Sequence, residues 1–273
     1  MHQVSKHTRC SDQLRLWLFH LALSVALLAV TCANAENASN QWISTKSLRF
    51  GDSDPVSWRG TPPWRYPVHG LDVARFQNEI NWRRVRSAGI QFAFIKATEG
   101  GDLVDPRFKE NWRGAAKAGI ARGAYHFYYF CTAPEVQARW FIRNVPRRGK
   151  ALPPVLDMEW NPFSPTCRKR PKGSEVRRQV KVFLDLVERH YGQRPIIYTT
   201  PEFYRQTGIG QMREEFWLRS TANTLDKAYP GQRWSFWQYT GTGIVPGVAG
   251  DVDINVFAGS QSQWRRWLKR RMR

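Results

Sequence analysis

Acidic residues are in short supply in this chain of 273 residues: 22 Asp and Glu stand against 42 Lys and Arg, a formal net charge of +20. A field of that sign draws polyanions, whether nucleic acid, anionic lipid or acidic cell-wall polymer, and says nothing about fold. The cations are mostly dispersed, with clusters at Arg147-Arg148-Gly149-Lys150, at Arg168-Lys169-Arg170 and at the C-terminal end. A solvated basic surface accounts for them as well as a polyanion site does. No nucleic-acid reader motif accompanies the charge, so specific nucleic-acid recognition is not expected. Cysteine is scarce too, at four residues. No Cys-x-x-C or Cys/His spacing suggests a metal, and neither metal nor cofactor is expected. Nothing in the sequence demands more than a monomer.

Aromatic residues, by contrast, are plentiful, with 13 Trp, 15 Phe and 9 Tyr. Sugar-binding clefts stack the apolar faces of pyranoses on such rings, but ordinary cores use them as well. Residues 1–35 have the form of a secretory signal peptide. Lys6, Arg9 and Arg15 precede an apolar stretch over 16–30, and Ala33-Asn34-Ala35 supplies a small-residue cleavage site. An uncleaved anchor is the alternative, but the stretch is short and broken by His20 and Ser24. Cleavage predicts a secreted or periplasmic protein. It would remove Cys10 and Cys32, leaving Cys131 and Cys167 in a compartment that permits disulfides, and a bridge between those two is expected.

Residues 36–66 are polar and rich in turn formers, and predict an irregular extension. From residue 67 to 260 short apolar runs alternate with helical patterns. Strands are expected at 68–73, 92–97, 122–129, 154–159, 195–199, 216–219, 234–239 and 252–255. Asp105 as N-cap and Pro106 as first helical residue open a helix that runs to Gly119. A second spans 133–144, and a third begins near Ser174 and ends at Gly192. This order predicts an α/β fold, an irregular TIM-like (β/α) barrel of about eight parallel strands with helices reduced in its last third. A doubly wound open sheet is the structural alternative, but no glycine-rich phosphate loop follows the first strand. Residues 261–273, with Trp264-Arg265-Arg266-Trp267-Leu268-Lys269-Arg270-Arg271, predict a basic terminal helix. Such a helix suits contact with anionic wall polymer or a membrane surface, and equally suits plain solvation.

Catalytic residues of such a barrel sit at the C-terminal ends of strands. Asp72 ends the first strand, Asp157 and Glu159 close the fourth, and Asp251 and Asp253 flank the last. Residues i and i+2 of a strand point to the same side, so Asp157 and Glu159 both face the mouth. Two acids held close do not ionise independently, and a retained proton suits glycoside hydrolysis. Burial against Trp160 would hold Glu159 protonated further. The alternative is that Asp-Met-Glu merely caps a strand. Tyr125, His126, Tyr198, Trp237 and Gln238 are candidate substrate-binding residues, although His126 by itself reads sooner as a hydrogen-bonded core histidine and Trp237-Gln238-Tyr239 reads also as packing. Glu99, before Gly100-Gly101, is expected in solvent.

Several ordered motifs give the chain a family resemblance: His69-Gly70-Leu71-Asp72-Val73; Phe92-Ala93-Phe94-Ile95-Lys96-Ala97-Thr98-Glu99-Gly100; Asp105-Pro106-Arg107-Phe108; Gly123-Ala124-Tyr125-His126-Phe127; Leu156-Asp157-Met158-Glu159; Trp237-Gln238-Tyr239; and Gly250-Asp251-Val252-Asp253-Ile254-Asn255. Over about residues 68–259 the sequence resembles the family 25 glycoside hydrolases, the N-acetylmuramidase lysozymes. The resemblance implies an irregular barrel that cleaves the β-1,4 bond between N-acetylmuramic acid and N-acetylglucosamine in peptidoglycan. It implies Glu159 as general acid and base, Asp157 as the group that steadies the 2-acetamido of the substrate, and Asp72 and Asp253 as further acids. Asp253 is taken over Asp251 because the family pattern is Val-Asp-x-Asn. Attack by the substrate's own acetamido carbonyl is expected, with a carboxylate nucleophile as the competing mechanism. A hydrolase of chitin-like chains and a carbohydrate-binding protein on a catalytically reduced barrel are the rival readings. Two departures stand out. Arg219 occupies the place where the family's Leu-Trp-x-Ala run has a small residue, and the segment 161–172 is long and basic.

Overall fold

The computed structural model describes residues 49–147 and 149–272. The expected signal peptide, with Cys10 and Cys32, lies outside the described residues, as does the first part of the expected extension. Among the described residues no helix is long and apolar enough to cross a membrane.

Ten strands form one sheet: β1 (Gly51–Asp52), β2 (His69–Val73), β3 (Ile90–Glu99), β4 (Leu103–Val104), β5 (Ala121–Phe127), β6 (Val155–Met158), β7 (Ile196–Thr199), β8 (Phe216–Arg219), β9 (Phe236–Ile244) and β10 (Val252–Phe257). Eight of them close into a barrel in the order β2-β3-β5-β6-β7-β8-β9-β10 and back to β2. Neighbours from β2 to β9 are parallel. β10 runs antiparallel to both β9 and β2, so the expectation of parallel strands fails at the last one. The reason is local. Only a short connection, 245–251, separates β9 from β10, and a parallel return needs a crossover of a dozen residues or more.

The helices thin out in the same direction. α1 (Trp82–Ser87), α2 (Phe108–Lys117), α3 (Pro134–Asn144) and α4 (Gly173–Tyr191) are followed only by short α5 (Pro201–Thr207) and α6 (Leu225–Ala228), and then by terminal α7 (Gln261–Arg271). α4 buries Val176, Val180, Phe183, Leu184 and Val187, the i, i+4, i+7 stripe that a helix lays on a sheet. It ends at Gly192, whose φ of +68° supplies the left-handed turn, with its N–H bonded to the Glu188 carbonyl at 2.7 Å. α2 begins at Phe108, not at Pro106. Asp105 is not its cap. Its two carboxylate oxygens accept from the N–H groups of Arg75 and Arg107, each at 2.9 Å, and so tie the loop after β2 to the start of the helix.

Strand alternation sorts the core into two layers. Between the barrel and its helices lie Leu71, Ala93, Ile95, Leu156, Ile197 and Leu218 with the helix stripes. Inside the barrel lie Phe92, Phe94, Tyr125, Val155, Ile196, Tyr198, Trp217 and Phe236. Gly70 makes room for this filling, since a Cβ there would fall 2.3 Å from the Phe92 ring. α7 closes the end of the barrel where the strands begin. Its Trp264 lies 5.5 Å from Phe92 and its Trp267 lies 5.2 Å from Phe236. Each such buried ring contributes on the order of 2–3 kcal/mol. Trp267 Nε1 and Arg271 anchor the helix to Glu215 at 2.8 and 3.0 Å. With one end plugged by aromatic rings, polar side chains have only the other end in which to gather.

Candidate active site

That other end holds a cavity of about 370 Å³. Asp72, Asp157, Glu159 and Asp253 line it, together with Tyr125, Tyr198 and Gln238. Seven of the nine residues expected at the site thus meet in one place. Asp251 is exposed and accepts from Ser53 Oγ at 3.1 Å outside it.

Two expected residues do not join them. His126 faces outward from β5, because its neighbours Tyr125 and Phe127 take the inward positions. It is fully buried, bonded through Nδ1 to Thr98 Oγ1 at 2.8 Å and through Nε2 to Gln137 Oε1 at 3.0 Å, and stacked on Phe183 at 5.1 Å. Burial pushes its pKa down to about 4. His126 is a core histidine. Trp237 faces outward from β9 beside inward Gln238. Trp58 from the N-terminal segment covers it edge-on at 5.0 Å, and its Nε1 donates to the Ser220 carbonyl at 2.9 Å.

Asp72 is the most heavily bonded of the four acids. Gln238 Nε2 donates to both of its oxygens, at 2.9 and 3.0 Å, and Asn255 Nδ2 donates at 2.7 Å. The orientation of both amides is fixed from behind. Tyr198 OH donates to Gln238 Oε1 at 2.8 Å, and Trp217 Nε1 donates to Asn255 Oδ1 at 2.7 Å. Each amide therefore has only its NH2 group left to aim at Asp72. Burial raises the Asp72 pKa to about 6, while these donors and Arg219 hold it down from going further. Hydrogen bonds to a charged group are each worth about 1.5–3 kcal/mol, so the cage favours the anion. Tyr198 and Gln238, expected to touch substrate, are first of all the supports of Asp72.

Asp253 stands opposite Asp72 in the β2–β10 ladder. Burial and then the charge of Asp72 push its pKa up to about 8. Asp157 is buried and its Oδ1 has no hydrogen-bond partner among the described residues. Burial first, then Glu159, raises its pKa well above the usual carboxylate range. Glu159 is also raised, by burial and by Asp72, with Arg219 and Lys96 pulling the other way. Burial rather than the neighbouring carboxylate is thus the larger cause. Trp160, expected against Glu159, does not line the cavity. It packs away on Phe203 at 4.5 Å and Phe130 at 5.4 Å, with its Nε1 on Gln206 at 2.6 Å.

The cavity has further walls that sequence reasoning passed over. Lys96 points inward from β3, bonded to Glu99 at 2.5 Å and lying 4.8 Å from the centre of the Phe127 ring. Glu99 is therefore not a solvated loop residue. Tyr129 OH also donates to it at 2.5 Å, and Asn161 donates to Tyr129 OH at 3.2 Å. Phe76, 68 % exposed, forms a bare aromatic lip with the Arg75 guanidinium 5.1 Å from its centre. The inward parity of Lys96 was readable from its spacing to Phe92 and Phe94. Phe76 gives no such signal, because it lies in a single 3-10 turn outside the strands. Arg219 lines the cavity, as its place at the end of β8 implied. Cys131 and Cys167 are joined by a disulfide, which ties the connection after β5 to the segment after β6.

A closed barrel whose open end gathers four carboxyls, one caged as an anion and others held toward the neutral form, is the equipment of a glycoside hydrolase. Comparison with known proteins gives the same class. The pattern of Glycosyl hydrolases family 25 matches residues 71–248. Lysozyme M1 of Streptomyces globisporus is 38% identical over 207 residues, covering 72% of this chain and 69% of that protein. The solved bacterial lysozyme of Streptomyces coelicolor is 39% identical, with a TM-score of 0.64 over 72% of this chain and 94% of that one. A family 25 glycosyl hydrolase structure from Bacillus anthracis is 35% identical, with a TM-score of 0.67 over 79% and 99%. The chain belongs to glycosyl hydrolase family 25, and it is a glycoside hydrolase.

Proposed function

We propose that this chain hydrolyses peptidoglycan at the β-1,4 bond between N-acetylmuramic acid and N-acetylglucosamine, with Glu159 as general acid and base. The lysozymes among its relatives support the substrate class. The observation that carries the chemistry is Asp157 Oδ1, unpartnered among the described residues and buried beside Glu159 in a cavity large enough for a sugar. A buried acceptor left without a donor is costly unless a ligand supplies one. The N–H of a 2-acetamido group is such a donor.

The steps follow from that contact. In the free enzyme Asp157 and Glu159 share a proton, since both are raised and their charges interact. When the acetamido N–H donates to Asp157, the Asp157 anion gains a partner and the shared proton settles on Glu159. Glu159 then gives this proton to the glycosidic oxygen as the C1–O bond breaks. The acetamido carbonyl oxygen attacks C1, and positive charge spreads into the ring that forms, next to the Asp72 anion and its amide cage. Water, deprotonated by Glu159, opens the intermediate at C1 and restores the acetamido group. Two inversions give net retention. Neutral Asp253 serves as a hydrogen-bond donor beside Asp72. In this reading the catalytic unit is 67–260, and removal of residues 1–35 delivers it outside the cytoplasm, where the glycan is.

Digestion of purified peptidoglycan, followed by borohydride reduction and mass analysis of the fragments, tests the proposal. Reduced muramic acid at the new ends is expected. Reduced glucosamine at the new ends, or cleavage of chitin-like chains alone, would overturn it.

A further inference from the structure

Beside the catalytic cavity, between the segments that follow β7 and β8, lies a second cavity of about 460 Å³. Arg205, Arg219 and Lys227 line it, and among the described residues no carboxylate does. Among the described residues Arg219 alone lines both cavities, so the two adjoin at that residue. None of the three cations makes a side-chain hydrogen bond or ion pair among the described residues. A cation nearby is engaged: Arg170 pairs with Glu202 at 3.1 Å. Arg219 also feels the charges of Asp72, Glu159 and Asp253 in the main cavity, but Arg205 and Lys227 have no ion-pair partner among the described residues, and like charges around one hollow repel one another and are relieved by an anion. The guanidinium fork of Arg219 suits a planar two-oxygen acceptor, and its partial burial strengthens such a bond over one in open solvent.

We propose that this second cavity is a subsite for a carboxylate of the peptide carried on the glycan. It would seat that group beside the sugar on which the carboxyl cluster acts. The inference rests on the glycan-cleaving reading of the main cavity and deepens it. A peptide-bearing wall glycan carries carboxylates, whereas a chitin-like chain carries none.

The test is calorimetric binding to the full chain carrying Glu159→Gln, so that the glycan is not consumed. Two ligands are compared: soluble wall-glycan oligomers with their peptides, and the same oligomers after an amidase has removed the peptides and the lactyl carboxylate so uncovered has been converted to its methylamide. Tighter binding of the peptide-bearing oligomer is expected. Adding Arg205→Ala and Lys227→Ala weakens that ligand by about 5- to 10-fold, the worth of two exposed charge pairs, and leaves the peptide-free ligand within about twofold. Binding of the peptide-free oligomer also reports that the variant is folded. Equal affinity for the two oligomers, a preference that survives the double substitution, or a parallel loss of both overturns the subsite. So does tighter binding of a glycan bearing phosphodiester polymer than of one bearing peptide. Failure of the parent chain to cleave either oligomer counts against the hydrolase reading alone, because the subsite is judged by binding.

Discussion

Asp253 is where the electrostatics of the cleft can be measured most cleanly. Its pKa is pushed from an ordinary 3.8 to about 8 by burial and by Asp72. The folded protein therefore keeps a proton that the unfolded chain releases. A carboxyl raised in this way contributes stability that is fully present below pH 4 and is lost as the pH rises toward 8. At about 1.4 kcal/mol per pH unit, the loss across that window has a ceiling of about 5–6 kcal/mol. Asp253 is partly open to the cleft, and solvent screening brings the expected loss to about 2–3 kcal/mol. Asp253→Asn cannot ionise and keeps a donor toward Asp72. The variant is expected to match the parent near pH 4 and to gain on it through the window, reaching a Tm advantage on the order of 5–10 °C at pH 9 for a domain of this size. Thermal unfolding at unit steps from pH 4 to 9, for both proteins, gives the curve. A constant difference at all pH values, or an advantage that shrinks as pH rises, would refute the reasoning.

Two further outcomes follow from side chains near the cleft. Replacing both Cys131 and Cys167 by Ala opens a loop of 36-residue separation; chain entropy puts the cost at about 4 kcal/mol, on the order of 10 °C in Tm. A fall under about 2 °C in thermal unfolding would contradict a structural bridge. His126→Leu removes two buried hydrogen bonds and is expected to cost about 2–4 kcal/mol by denaturant titration, with KM and the shape of the pH profile unchanged. A raised KM with unchanged stability would return His126 to the substrate site.

Much of this architecture was legible in the residues. All eight barrel strands lie where apolar runs predicted them, because a strand buried on both faces must be apolar throughout. The direction of β10 was not legible, since direction follows from connection length and not from strand composition. Within the site, the carboxylates were found by their incongruity at the ends of apolar strands. His126 and Trp237 were misplaced for the opposite reason. Each adjoins a true cleft residue, Tyr125 or Gln238, and in a strand the neighbour always faces the other way. Applying the alternation strictly from Phe92 and Phe94 through Lys96, and from Trp217 to Arg219, would have recovered the cations of the cleft. No local pattern announces that Tyr198 and Trp217 set the amides that cage Asp72. That arrangement exists only once β7, β8, β9, β10 and β2 are brought together.

The role of Glu159 is the central claim, and one substitution addresses it. Glu159→Gln preserves the shape of the side chain and removes the proton it would donate. Release of muramic-acid reducing ends from purified peptidoglycan should fall by about 10²–10⁴-fold or more, while glycan binding and Tm stay near those of the parent. Release at the parent rate would contradict the account.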